Sequence, residues 1–260
     1  MIPTSEGLSR WLLHVSGHTK LPQVLTPLRE AVELNREGPR IISTFGHRQF
    51  EGLVGFVDMR GFSDLAHGLS PEEVRDIASP FVGAIVEAAR RNHCFIDKTI
   101  GDEVMFVMSS IGEDVALANV GLEVRDPWLI SLSALVADML RLLDERAPGR
   151  SFSAGVAYGA MVLGHVGAEG YGEWTAYGNV VNAAKRIQAL AGELSPDKRA
   201  NSLAVGVIEA ELGPWFAREF DPKIWQKVGP TTLSAIRSET QPCKGVGDVR
   251  YVAGEVRLRA

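Results

Sequence analysis

The sequence predicts an α+β protein: a ferredoxin-like βαββαβ sheet, with an N-terminal helical extension over residues 1–45 and one large domain over 46–260. Three observations predict it. "LVGFVDM" (53–59) is an unbroken apolar run that stops on an aspartate. "HCFIDKT" and "EVMFVM" are two strand-like runs joined at Ile100-Gly101-Asp102. Helical spacing occupies the stretches 70–92 and 128–146, one before that pair of runs and one after it. Strands and helices in the order β-α-β-β-α-β form a sheet with the helices on one face.

Each element has its own signal. In residues 1–45, Leu8, Trp11, Leu12, Leu25, Leu28 and Val32 recur at helix-like spacing, broken by Pro22 and Pro27. "SPEEVRDIASPFVGAIVEAARRN" (70–92) opens with Ser70 and Glu73, a capping-box pair, and Pro71 stands at the first helical position. Pro80 should bend that helix near its middle. Ile100-Gly101-Asp102 reads as a hairpin tip, and "WLISLSALVADMLRLLDE" as a helix over 128–146. "SFSAGVAYG" alternates Phe152, Ala154 and Val156 with smaller residues, the period of a half-buried strand. A glycine-rich hairpin follows over 159–177, then a helix over 178–192 through Val180, Ala184, Ile187 and Ala191. The region 193–260 is mixed in pattern, with a terminal hairpin at "KGVGDVRYVAGEV".

Composition narrows the class. The chain has 260 residues, 45% hydrophobic and 23% charged, with a formal net charge of -5, the profile of an ordinary globular protein. Without a Lys/Arg block there is no nucleic-acid footprint. The longest nearly uncharged apolar run, "PWLISLSALVADML", is too short to span a bilayer, and "MIPTSEGLSR" lacks the pattern of a secretory leader. Two distant cysteines, Cys94 and Cys243, argue against a disulfide framework. The six histidines show no zinc-like spacing. The expectation is a cytoplasmic protein with neither nucleic-acid nor membrane partners.

Two aspartates stand where strands stop. Asp58 closes "GFVD" and Asp102 occupies the hairpin tip; in the expected sheet both converge at one edge. Magnesium is typically held by one or two carboxylates together with substrate phosphates, and two such ions clamp an in-line phosphoryl displacement. Each aspartate alone is common as a turn residue or helix cap; the pair is more specific than its members. After Asp58 comes "MRGFSDL", a glycine turn into a helix start, so the free N–H groups at Gly61, Phe62 and Ser63 suit phosphate oxygens. Asn182 and Arg186, four apart on the helix over 178–192, share one face. Arginine suits developing charge on phosphate, and asparagine suits a ribose.

"FVDMRGFSDL", "DKTIGDEVM" and "YGNVVNAAKR" resemble the three signature blocks of class III nucleotidyl (adenylate and guanylate) cyclases, in the same order and at suitable separations. The resemblance covers roughly residues 50–192 and extends more weakly to "CKGVGDVRYV". It implies that Asp58 and Asp102 bind two Mg²⁺ (or Mn²⁺) ions per active site, that Asn182 orients the ribose and that Arg186 stabilises the transition state. It further implies that Lys98 and Thr175 select the base and that Lys244 contacts the triphosphate. In this family the metals polarise the α-phosphate and the ribose 3′-hydroxyl, so no dedicated protein base is needed. The site lies between two subunits, which implies a homodimer, and the cyclic nucleotide implies a downstream effector.

Base identity stays open between ATP and a pyrimidine nucleotide. Lys98 with Thr175 resembles the Lys/Thr pair of one bacterial adenylate cyclase subgroup, and guanylate cyclases usually carry Glu at the lysine position. Yet Ala176 and Tyr177 replace aliphatic residues near the base, and Cys94-Phe95 replaces a small pair. A Tyr177 ring projecting inward would narrow the pocket to a pyrimidine; facing the core, it would say nothing about the base. Compact cyclases of this kind also resemble the pyrimidine cyclases of Pycsar antiphage systems, which make cyclic CMP or cyclic UMP. A diguanylate cyclase fits the sequence less well: "GDEV" lacks the second glycine of its "GGDEF" loop, and the helix "NVVNAAKR" has no place there. The alternative from another class is a catalytically inactive cyclase-like dimerisation or nucleotide-binding module, although such forms commonly lose one of the four residues present here.

Overall fold

A computed structural model describes residues 49–92, 94–109, 127–168, 171–194, 197–220, 225 and 229–259. The helical extension expected over 1–45 lies outside them. The described elements are β1 (Gln49–Met59), α1 (Phe62–Ala66), α2 (Pro71–Arg91), β2 (Phe95–Ile100), β3 (Glu103–Ser109), α3 (Pro127–Arg146), β4 (Phe152–Ala168), β5 (Tyr171–Tyr177), α4 (Asn179–Leu194), β6 (Ser202–Ile208), α5 (Glu209–Glu219), β7 (Thr231–Cys243) and β8 (Gly247–Leu258). One α+β sheet of eight strands runs β2-β3-β1-β4-β6-β8-β7, and β5 pairs with β4 off this path. Of the pairs, β4–β6 is parallel; β1–β3, β1–β4 and β2–β3 are antiparallel.

The local signals account for the elements. The Ser70 hydroxyl accepts from the Glu73 N–H at 3.3 Å, and the Ser70 N–H donates to the Glu73 carboxylate at 2.8 Å, closing the capping box of α2. Pro80 sits inside that helix without ending it. Gly101, at φ 63, makes the tight turn from β2 to β3, a backbone conformation that favours glycine.

β1 is buried on both faces, as its unbroken apolar run requires. Leu53 and Val57 pack with Phe81 and Ile85 of α2 and Leu135 and Met139 of α3. Val54 and Phe56 face the other way, toward Ala184 and Ile187 of α4. The two crossover helices of the βαββαβ order thus share one face, but α4 covers the opposite one, so helices on one face describe that unit and not the whole sheet.

The half-buried reading of β4 needs correction. Every residue from Phe152 to Ala157 is buried. The smaller residues alternate because α4 lies directly on them: a Cβ on Gly155 would fall 2.1 Å from the Gln188 backbone nitrogen. Smallness here reflects close helix approach, not a solvent face. In the region 193–260, β6 is a strand in which all residues are buried, and the terminal hairpin is β7–β8. Among the described residues no helix is long and apolar enough to cross a membrane.

Candidate active site

Backbone connectivity brings the two aspartates together. β1 and β3 are direct neighbours, so the end of β1 meets the tip of the β2–β3 hairpin. The Met59 N–H donates to Asp102 Oδ2 at 3.1 Å, tying that tip to the residue after Asp58. Asp58 is pushed up to about 7, first by burial and next by the Asp102 carboxylate, with Glu103 adding to the rise and Lys185 opposing it. Two carboxylates crowded in this way repel when both are ionised, and a divalent cation relieves that repulsion. The donor set fits the Mg²⁺ or Mn²⁺ expected there. Among the described residues no group of three or more His, Cys, Asp or Glu side chains is placed to hold a metal ion, so the aspartate pair would share its ions with substrate phosphates.

Behind the pair runs a line of polar side chains that sequence reasoning missed. Ser153 lies opposite Asp58 in the β1–β4 register. Its hydroxyl accepts from Gln188 Nε2 at 2.9 Å, and Gln188 Oε1 accepts from Lys185 Nζ at 3.1 Å. Lys185 also pairs with Glu103 and lies 5.6 Å above the Phe56 ring. The helix carrying Asn182 and Arg186 is thereby fixed to the hairpin carrying Asp102. The sequence signal was Glu103 itself, a charge at the start of an otherwise apolar strand.

The expected base-selecting residues meet through an intermediary. Ile96 pairs with Phe106 and Lys98 pairs with Met105, so Asp97 is an extra residue, a β-bulge. Paired residues share a face, and Met105 belongs to the α4 side of the sheet. The bulge therefore turns both Asp97 and Lys98 toward β5. There the Thr175 hydroxyl donates to Asp97 Oδ1 at 2.9 Å and the Ala176 N–H to Asp97 Oδ2 at 2.7 Å. Lys98 Nζ stands 3.6 Å from Asp97 Oδ1, and the Asp97 side chain is 0% exposed. Tyr177 lies on the same side of β5 as Thr175 by strand alternation and is 36% exposed, so it does not face the core.

The remaining candidates lie around these two centres. Asn182 and Arg186 are exposed on α4, whose inner face buries Val180, Ala184 and Ile187. Burial pushes the Cys243 thiol up while the Arg186 charge pulls it down, which brings Arg186 near the turn holding Lys244. Lys244 is exposed in that turn, between β7 and β8. Gly61, at φ 71, caps α1 without a side-chain hydrogen bond, leaving early N–H groups for another acceptor. The Phe62 ring packs against the α2–α3 core, so that residue offers its backbone; Ser63 is exposed.

The family described as "Adenylate and Guanylate cyclase catalytic domain" matches residues 51–195. An adenylate cyclase of Anabaena cylindrica is 27% identical over 144 residues, covering 52% of this chain and 26% of that protein. An uncharacterised protein of Mycobacterium tuberculosis is 30% identical over 166 residues, covering 62% of this chain and 27% of the relative. The chain thus spans less than a third of these relatives' length. Among solved structures, the guanylyl cyclase Cya2 superposes with a TM-score of 0.57 at 20% identity, covering 81% of this chain and 93% of that one. The adenylyl cyclase CyaB from P. aeruginosa gives 0.52 at 19% identity, covering 82% and 96%. These structures share the fold.

Proposed function

Because this chain belongs to the adenylate and guanylate cyclase catalytic domain family, we propose that it is a nucleotidyl cyclase. It converts a nucleoside triphosphate to its 3′,5′-cyclic monophosphate and pyrophosphate. The observation that carries this reading is the convergence of Asp58 and Asp102 at one edge of the sheet, where burial first and the Asp102 carboxylate second raise Asp58 to about 7.

In the proposed reaction the ribose O3′ bonds to the α-phosphorus, the bond from that phosphorus to the pyrophosphate oxygen breaks, pyrophosphate leaves with that bonding pair, and the hydroxyl proton passes to solvent. Asp58 and Asp102 would hold two Mg²⁺ or Mn²⁺ ions, which supply Lewis-acid polarisation of the α-phosphate and of the attacking hydroxyl when bound. Asn182 holds the ribose so that O3′ faces phosphorus in line. The Arg186 guanidinium offsets charge spreading over the phosphoryl oxygens. The N–H groups of Gly61, Phe62 and Ser63, with the Lys244 ammonium, hold the triphosphate. Lys98 and Thr175 contact the base. As in the family the sequence blocks resemble, the site is assembled from two copies of the chain, with the aspartates from one and Asn182 and Arg186 from the other.

The test is incubation of purified protein with Mn²⁺ and each of ATP, GTP, CTP and UTP, with product masses read out. One cyclic nucleotide should appear, and Asp58→Ala or Asp102→Ala should reduce its rate at least ~1,000-fold while the circular dichroism spectrum is kept. No cyclic product from any nucleotide would leave the binding-module alternative in its place.

A further inference from the structure

Asp97 lies deeper than any residue proposed to touch substrate, yet three donors converge on it: the Thr175 hydroxyl, the Ala176 N–H and the Lys98 ammonium. An ionised carboxylate only accepts hydrogen bonds, and a threonine hydroxyl has one hydrogen to give. With that hydrogen committed to Asp97 Oδ1 at 2.9 Å, Thr175 Oγ1 offers only lone pairs to anything else it meets. Lys98 is a donor with no acceptor capacity. The pair therefore displays a fixed pattern, donor from Lys98 and acceptor from Thr175.

We propose that Asp97 is a specificity-positioning residue that holds Thr175 as a hydrogen-bond acceptor, so that the site takes bases with an amino group beside an unprotonated ring nitrogen. Adenine and cytosine present that edge. Guanine and uracil present the reverse, a carbonyl oxygen beside a ring N–H, and would set oxygen against the Thr175 lone pairs and N–H against the Lys98 ammonium. The inference rests on Lys98 and Thr175 being the base contacts of the proposed cyclase. It narrows the substrate to ATP or CTP and disfavours GTP and UTP.

Asp97→Asn tests it with almost no change of shape. The Ala176 N–H still needs an acceptor, so the amide oxygen takes the Oδ2 position and the NH₂ group takes Oδ1. That group donates to Thr175 Oγ1, whose own hydrogen then turns toward the base, while the Lys98 ammonium, 3.6 Å from Oδ1 in the native protein, loses that acceptor and stays a donor to the base. Comparing bases of equal ring size removes the effect of pocket volume. In the native protein ATP over GTP, or CTP over UTP, should differ by at least ~100-fold in kcat/KM, and in Asp97→Asn that ratio should fall ~10-fold or more.

The same ranking should appear in equilibrium dialysis of the four triphosphates, a readout independent of turnover. Thr175→Val should flatten the ranking, and adding Asp97→Asn to it should change nothing further; Thr175→Ser should preserve the native ranking. If Asp97→Asn does not fold, a ranking that Thr175→Val leaves unchanged overturns the inference, because Asp97 then has no acceptor at position 175 to position. A native preference for GTP or UTP, or an Asp97→Asn protein that loses activity equally on all four, overturns the inference while leaving the cyclase reading intact. Binding that ranks as expected without any cyclic product would overturn the cyclase reading instead.

Discussion

Asp58 ends a strand where a second carboxylate faces it, and its protonation follows from that position. Burial and Asp102 raise it from 3.8 to about 7, so between these values the folded chain holds a proton the unfolded chain has released. Metal-free stability should therefore be greatest on the acid side and fall as pH rises through that window. Binding Mn²⁺ must displace the proton, so affinity should rise with pH and level off above about 7. Calorimetry in buffers of different ionisation enthalpy should find close to one proton released at about pH 6 and few at about pH 8. Affinity flat across that range would show that Asp58 does not meet the metal. Asp58, Asp102 and Lys98 were legible as candidates because each stands in a recognisable block, and Thr175 by its place seven residues before Asn182. Asp97 was visible as a charge in "FIDKTI" but had no role there, since strand alternation puts it and Lys98 on opposite faces; only the bulge reconciles them.

At the scale of elements, two glycines separate close packing from mere flexibility. Gly155 on β4 lies under α4, and an added Cβ would fall 2.1 Å from the Gln188 nitrogen and 2.4 Å from its Cα. Backbone cannot yield as a flexible side chain does, so Gly155→Ala should destabilise the fold by about 1–3 kcal/mol or more. Gly83, within α2, has nothing within 4 Å of an added Cβ, so Gly83→Ala should add about 0.5–1 kcal/mol. Urea unfolding of the two variants should shift the midpoint in opposite directions, and a shared sign would refute the contact between α4 and β4. α2 and α3 were legible from capping and spacing, which are local. Two-sided burial of β4 was not, because a small residue under a helix and a small residue facing water look alike in a one-dimensional pattern.

For the whole molecule, the proposed division of labour between copies gives a separate test. Asp58→Ala and Arg186→Ala should each be inactive, and an equal mixture should recover about a quarter of native activity if subunits exchange at random into dimers. Recovery absent from a mixture shown to contain heterodimer would place all four residues in one chain. The succession of the first four strands and their two crossover helices was legible in the sequence, as was the place of β1 beside the β2–β3 hairpin. The parallel insertion of β6 beside β4 was not, because "SLAVGVI" has neither a turn signal nor an alternation to say which neighbour it takes.

Asp97 also joins the edge strand β2 to the end of β5, accepting hydrogen bonds from two successive residues of that strand. A mutational path to a new base therefore cannot discard this side chain without loosening the β5 arm that carries Thr175. Asparagine keeps an acceptor for Ala176 and reverses the hydroxyl, and its codons lie one transition away from those of aspartate. The genetic code thus places a relaxed base preference next to the native one, along a route that leaves the architecture standing.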